Sequence, residues 1–225
     1  DSGKWSVRNS SDWKKSGGNA ATSMVERYTP EDLNQAASLV RVLKEAFGAQ
    51  TPLQGYRADY AMAFRQCPTA PEQAMYTMEL FWDPHKRRAR ALKVYGQPFG
   101  GKVSQMNYVR DPAAMVAIGR SKLGLLISHY SDDSWAIEPE AVAASSHRTW
   151  LELNALIGGQ LDPDKSPPPT AAFNLLGALL EVRSGAPTAR IEGVKRGALD
   201  DILARHLHDR SITAAEASSL RGKLG

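Results

Sequence analysis

Tyr130-Ser131-Asp132-Asp133 is the stretch that most constrains how this chain can fold. The uncharged run Leu123 to Ile127, with Gly124 as its one non-apolar residue, leads into it, and Ser134-Trp135-Ala136-Ile137 leads out. The pattern predicts a strand, a tight exposed turn and a second strand. Adjacent carboxylates at such a turn repel each other and lose hydration where they are partly buried. A divalent cation offsets that cost, and hard oxygen ligands suit magnesium or manganese. Asp-Asp is also an ordinary solvated turn, so the pair takes its meaning from the rest of the chain.

The remaining sequence sets broad bounds. Its 225 residues, 42% of them hydrophobic, suffice for one sizeable core or for one domain and part of another. No apolar run reaches the ~18 residues of a membrane span, so no membrane partner is expected. The single cysteine, Cys67, rules out an internal disulfide and fits a reducing, intracellular compartment. The opening Asp1-Ser2-Gly3-Lys4 has no signal-like character and reads as the start of a fragment. A formal net charge of +4 permits a polyanionic partner.

In chain order, residues 1–29 read as a basic hairpin, with Trp5 and Trp13 among Lys4, Arg8, Lys14 and Lys15, turning at Ser16-Gly17-Gly18-Asn19. Such cations either hold phosphate oxygens or simply solvate a surface. Residues 30–47 are expected as a helix opened by Pro30, Glu31 and Asp32 and closed by Gly48. A strand runs into Asp59, followed by a short helical segment ending near Pro68. An acid at that place is either a metal ligand or a helix cap. Residues 75–95 are a hairpin turning at Asp83-Pro84-His85-Lys86, with His85 a surface residue. Gln97-Pro98-Phe99-Gly100-Gly101 is a turn whose glycines let backbone approach a flat ligand.

Residues 103–122 read as a helix through Met106, Val109, Met115 and Ile118, with Pro112 a candidate break. Residues 139–157 read as an amphipathic helix with Val142, Trp150, Leu153, Leu156 and Ile157 inward and His147 as filler. A loop carrying Lys165, a hairpin from Phe173 through Val182, and helices over 194–208 and 213–223 complete an α+β pattern.

The order of these motifs resembles the fingers-and-palm region of a reverse transcriptase of the retrotransposon kind. Asp59 with Ala63-Phe64 and Pro68 resembles the first palm motif. Gln97-Pro98-Phe99-Gly100 resembles the Leu-Pro-Phe-Gly loop, with Gln97 in place of leucine. Tyr130-Ser131-Asp132-Asp133 resembles the Tyr-x-Asp-Asp box, with Ser131 where valine, alanine or methionine is usual. Gly158-Gly159 followed by Lys165 resembles the family's Gly…Lys motif, Phe173 to Gly177 its primer-grip hairpin, and Arg8 to Asp12-Trp13 its fingers motif. Ile212 to Gly225 looks like the segment between polymerase and RNase H parts of some retroelements.

The resemblance implies a reverse-transcriptase-like palm, an antiparallel sheet backed by helices, over residues 56–182. Residues 1–55 would be fingers-like, and 183–225 would begin thumb or connection helices. It implies an RNA-directed DNA polymerase that extends a primer on an RNA or DNA template from dNTPs. Two Mg2+ or Mn2+ ions would be held by Asp59, Asp132 and Asp133. Lys165 would protonate pyrophosphate; Arg8, Phe64, Pro98, Phe99 and Gly100 would bind the dNTP; Leu175, Leu176 and Gly177 would steady the primer. Tyr130 and Ser131 would lie beside the acids. RNase H and other domains would belong to a parent polyprotein. A catalytically inactive nucleic-acid-binding fragment of the same fold is the alternative.

Overall fold

A computed structural model describes residues 15–23, 31–183 and 186–191 and isolated positions between 196 and 217. Arg8, with Lys4, Trp5, Ser6, Asp12, Trp13 and Lys14, lies outside the described residues, as does most of the sequence from 192 onward.

Asp32 sets the first helix. Its carboxylate accepts the backbone N–H groups of Asn34 at 2.9 Å and Gln35 at 3.2 Å, so it caps α1 (Leu33–Phe47) from outside the first turn. Ala36, Val40 and Leu43 form the buried stripe of α1, and Gly48 ends it with φ 105°. The chain then gives β1 (Leu53–Asp59), the single turn α2 (Ala63–Gln66), the hairpin β2 (Met78–Asp83) and β3 (Arg88–Lys93), and α3 (Ser104–Leu123). After α3 come β4 (Ile127–Tyr130), β5 (Asp133–Pro139), α4 (Glu140–Leu156), a 3-10 turn at Pro163–Lys165, and β6 (Ala172–Leu175), β7 (Ala178–Glu181) and β8 (Thr188–Ile191).

Among the described residues the strands make three antiparallel sheets, ordered β1-β5-β4, β2-β3 and β6-β7-β8. The first is the centre of the molecule. Side chains alternate across it, and its two faces are covered by different layers. Leu53, Trp135 and Ile137 pack with Ala36, Val40 and Leu43 of α1 and with Phe173, Leu175, Leu180 and Val182 of the β6–β7 hairpin. On the other face Tyr56, Ala58, Ile127 and Ala136 pack with Met115 and Val116 of α3 and Trp150 of α4. Gly55 allows the hairpin to lie so close: a Cβ there would stand 1.9 Å from the Phe173 ring. The bare backbone of Gly55 pairs with Thr170 through bonds of 2.8 and 2.9 Å.

Three expectations are corrected. α3 runs unbroken through Pro112, which is itself buried between Tyr108 and Val109 on one side and Met115 and Val116 on the other. Packing of that face outweighs the lost hydrogen bond of one proline. The strand expected from Leu123 starts at Ile127: Leu123 still belongs to α3, and Gly124 closes it with φ 67°.

The inward face of α4 is Ala143, Ser146, His147, Trp150 and Asn154, while Val142, Leu156 and Ile157 are exposed. Polar residues displace apolar ones here because partners await them. Ser146 donates to Glu138 at 2.9 Å and shares a hydrogen bond with the Tyr56 hydroxyl at 3.0 Å. Asn154 donates to the Trp150 carbonyl at 2.8 Å and accepts from the Tyr60 hydroxyl. Among the described residues no helix is long and apolar enough to cross a membrane.

Candidate functional site

The turn between β4 and β5 consists of Ser131 and Asp132, because Tyr130 pairs with Asp133. Ser131 takes a left-handed backbone, φ 55°, and its hydroxyl accepts a bond from Gln105 Nε2 of α3 at 2.8 Å. Across the sheet Asp133 stands opposite Asp59 in register. Residues opposite each other share a face, so both carboxylates belong to the face of Trp135 and Ile137, beyond the end of the apolar layer. Asp132 adjoins them in the turn.

The electrostatics follow from this crowding. Burial pushes the Asp133 carboxyl up to about 6, and the negative charges of Asp132 and Asp59 push in the same direction, against the pull of Arg57 and Lys165. Asp59 is buried and its Oδ2 receives the Lys165 ammonium at 2.5 Å, while Asp162 lies 3.7 Å from the same nitrogen. Asp162 also caps the 3-10 turn that carries Lys165, accepting the Asp164 N–H at 3.1 Å.

That turn is tied to the end of β1. Asp162 N–H donates to the Asp59 carbonyl at 2.8 Å, and Ala61 N–H to the Gln160 carbonyl at 2.9 Å. The Gln66 side chain then clamps Gln160 from both sides. Its Nε2 donates to the Gln160 carbonyl at 2.7 Å, and its Oε1 accepts the Gln160 N–H at 2.8 Å.

Beside the acids is an aromatic cluster. The Phe64 ring meets Phe99 edge-on at 5.3 Å and Tyr108 at 5.1 Å. Gln97 N–H docks this loop onto α2 by donating to the carbonyls of Phe64 and Cys67, each at 2.9 Å. Pro98 is buried, Phe99 is half exposed, and Gly100 has φ 87°. Asn19 braces the loop from outside, donating to the Gly100 carbonyl at 3.0 Å and accepting Lys102 N–H at 2.6 Å. The Tyr108 hydroxyl is buried with no hydrogen-bond partner among the described residues. Burial raises its pKa far above the ordinary phenol range, and the nearby Tyr60, Asp132, Asp59 and Asp111 add to the effect.

Asp59, Asp133 and Lys165 are thus brought together with Asp132 beside them, and Phe64 is brought to Phe99. Leu175 is buried in the layer over Trp135 and Ile137, on the same sheet face as the two acids, with Leu176 packed against it. Leu176 and Gly177 make the β6–β7 turn with φ 50° and 83°, the two left-handed residues that a tight primed hairpin turn requires. Tyr130 is exposed at the end of β4. Gln105, Gln66, Tyr108 and Asn19 were not singled out by sequence reasoning; a helical glutamine or tyrosine carries no spacing signature, and Asn19 read only as a turn residue.

The donor set of the acidic cluster is all carboxylate oxygen, which fits magnesium or manganese chemically. Among the described residues, however, no group of three His, Cys, Asp or Glu side chains converges as it stands to hold a metal ion. Asp59 is instead neutralised by Lys165.

No protein-family profile matches the chain, and no curated protein matches its sequence. Solved structures do match it. A foamy viral protease-reverse transcriptase in complex with dsDNA aligns at TM-score 0.57 and 16% identity, over 92% of this chain and 37% of that one. The fold is reverse-transcriptase-like. A second structure of that viral protein, its dRH form with dsDNA, aligns at 0.57 and 15% identity, over 94% and 32% of the two chains. A third, with an RNA/DNA hybrid, aligns at 0.53 and 14% identity, over 79% and 22%. The chain spans about a third of the length of the first two. The reverse-transcriptase-like fold agrees with the expected mixed architecture, antiparallel sheets backed by helices.

Proposed function

We propose that this chain is the core of an RNA-directed DNA polymerase of the retrotransposon kind. It would extend a primer 3′-hydroxyl with dNTPs on an RNA or DNA template. The observation that carries the reading is the placement of Asp59 opposite Asp133, with Asp132 in the adjoining turn and Lys165 on Asp59. The viral structures of like fold hold dsDNA or an RNA/DNA hybrid, which supports a primer–template as the ligand.

Two Mg2+ or Mn2+ ions held by Asp59, Asp132 and Asp133 would supply activation of the primer hydroxyl and neutralisation of the departing phosphates. The chain's own residues do the rest. Lys165 holds a proton at Nζ beside the acids and would pass it to the leaving pyrophosphate. Phe64, its ring fixed by Phe99 and Tyr108, would close the space of a 2′-hydroxyl and select deoxynucleotides. Pro98, Phe99 and Gly100 would pack on the nucleotide, and Leu175, Leu176 and Gly177 would steady the primer end. Arg8 would grip the triphosphate. In this reading residues 1–55 are fingers, 56–182 palm, and 183–225 the start of the thumb or connection. RNase H and further domains would belong to an intracellular parent polyprotein.

A second reading is a catalytically inactive fragment that only binds nucleic acid. The lack of a converged metal-ligand group among the described residues favours it. Primer extension on an RNA template with dNTPs, in magnesium and then manganese, separates the two. The polymerase reading expects extension by the parent and none by Asp132→Asn; extension that survives the substitution sinks it. The second reading expects no extension from either, with salt-sensitive binding of an RNA/DNA hybrid intact in both.

A further inference from the structure

The β2–β3 hairpin meets α2 through the Glu79–Arg65 ion pair and itself buries almost nothing. Every residue of β3 is exposed, and Asp83 is the one buried residue of β2. Register places Met78, Leu80 and Trp82 on one face, opposite Lys93, Ala91 and Ala89. Met78 is 56% exposed, Leu80 79% and Trp82 63%, so these three form an uncovered row beside Ala89 and Ala91, while the exposed Phe81 and Leu92 lie on the other face among Arg88 and Arg90. Continuous apolar surface of this kind marks a binding site.

Charge decides what the face fits. The segment from Lys86 to Lys93 holds Lys86, Arg87, Arg88, Arg90 and Lys93 and no acid. The two acids of β2 lie on the opposite face and are already engaged: Glu79 with Arg65 at 3.0 Å, Asp83 with Arg90 at 3.3 Å. The apolar row is therefore bounded by Lys86 and Arg87 in the loop at one end and Lys93 at the other. The Lys93 ammonium sits 5.4 Å from the centre of the Tyr95 ring. A second copy packed face to face and antiparallel would bring these cations against their counterparts, which disfavours self-association. A polyanion with apolar faces suits both features: bases stack on an exposed aromatic while cations track the phosphates.

We propose that the β2–β3 hairpin is a binding surface for single-stranded nucleic acid. Trp82 is the stacking platform, Leu80 and Met78 extend it, and Lys86, Arg87 and Lys93 meet the backbone phosphates at its two ends. The surface needs none of the carboxylates, so it stands whether or not the chain polymerises.

The test is fluorescence anisotropy of the full chain with a labelled single strand of ~10 nucleotides, RNA and DNA in turn, across a salt series. Trp82→Ala is expected to weaken single-strand binding roughly 10-fold. Lys86→Glu with Arg87→Glu is expected to weaken it and to lower the slope of log affinity against log salt by about 1.4, for two phosphates lost. Primer extension is read separately on the same proteins, and the hairpin uses none of the carboxylates, so failure of the polymerase reading leaves the anisotropy result untouched. Trp82 is exposed, and circular dichroism of its variant checks that it folds as the parent does. Parent-like affinity in both hairpin variants overturns the proposal. So does a parent dimer in light scattering that Trp82→Ala dissolves while single-strand affinity stays unchanged, which would assign the face to a protein contact.

Discussion

Asp133 faces Asp59 across one strand pair and adjoins Asp132 in the turn, and like charges directly opposite each other destabilise a sheet. The metal-free protein holds that repulsion, relieved only in part by Lys165 and Arg57. Asp133→Asn is therefore expected to raise stability at neutral pH without added metal by about 1 kcal/mol, read from urea unfolding midpoints. A lower midpoint would mean that the acids are better compensated than their register implies. The positions of the three aspartates at a strand end and a turn were legible in the sequence because acids there stand out against apolar runs. Tyr108 and Gln105 were not. Their places come from what a helix brings to its neighbours, and no local pattern encodes a tyrosine ring against Phe64 or an amide on Ser131.

At the scale of elements, α4 buries Trp150 as expected, but beside it and Ala143 the inward face holds Ser146, His147 and Asn154 where further apolar groups were expected. His147 lies in that face with its ring 4.8 Å from Tyr56, and burial lowers its pKa although a bond to the Ser166 backbone raises it in part. The unfolded imidazole takes up a proton near pH 6.5, before the folded one does. Stability is full above that pH and falls as pH drops below it. His129, also lowered by burial, adds to the loss. Asp133, whose carboxyl is pushed up to about 6, gains stability over the same range and works against this loss, so the readout is a difference: from pH 7.5 to about 5 the thermal midpoint of the parent is expected to lose ground against that of His147→Gln, and equal slopes would remove His147 from the effect. The β6–β7 hairpin depends on a missing side chain. Gly55→Ala places a methyl carbon 1.9 Å from Phe173 and is expected to cost about 1–3 kcal/mol, checked by chemical denaturation. The β2–β3 and β6–β7 hairpins and helices α1, α3 and α4 were legible because period and turn residues agree along them; the expected hairpin over 1–29 and helices over 194–208 and 213–223 lie mostly outside the described residues. The continuity of α3 through Pro112 was not, because it is decided by packing from outside the helix.

For the whole molecule, the order of motifs along the chain made the fold class legible, and the central sheet explains why. β1 and β5 are neighbours although their paired acids Asp59 and Asp133 lie far apart in sequence, and the intervening α2, hairpin and α3 are accommodated around them. The same register has a consequence for how such a chain can change. Asp133, Trp135 and Ile137 occupy alternate positions of one strand, and the two apolar groups are fixed in the layer between α1 and the β6–β7 hairpin. A one-residue slip would turn every side chain of β5 to the opposite face, sending the acid toward α3 and α4 and Trp135 out of its layer. The core thus works as a ruler with its graduations at Ile137 and Trp135 and its zero mark at Asp133. Single letters of β5 can be exchanged at a modest cost, but gaining or losing one residue within it would erase the fold and the acid cluster together.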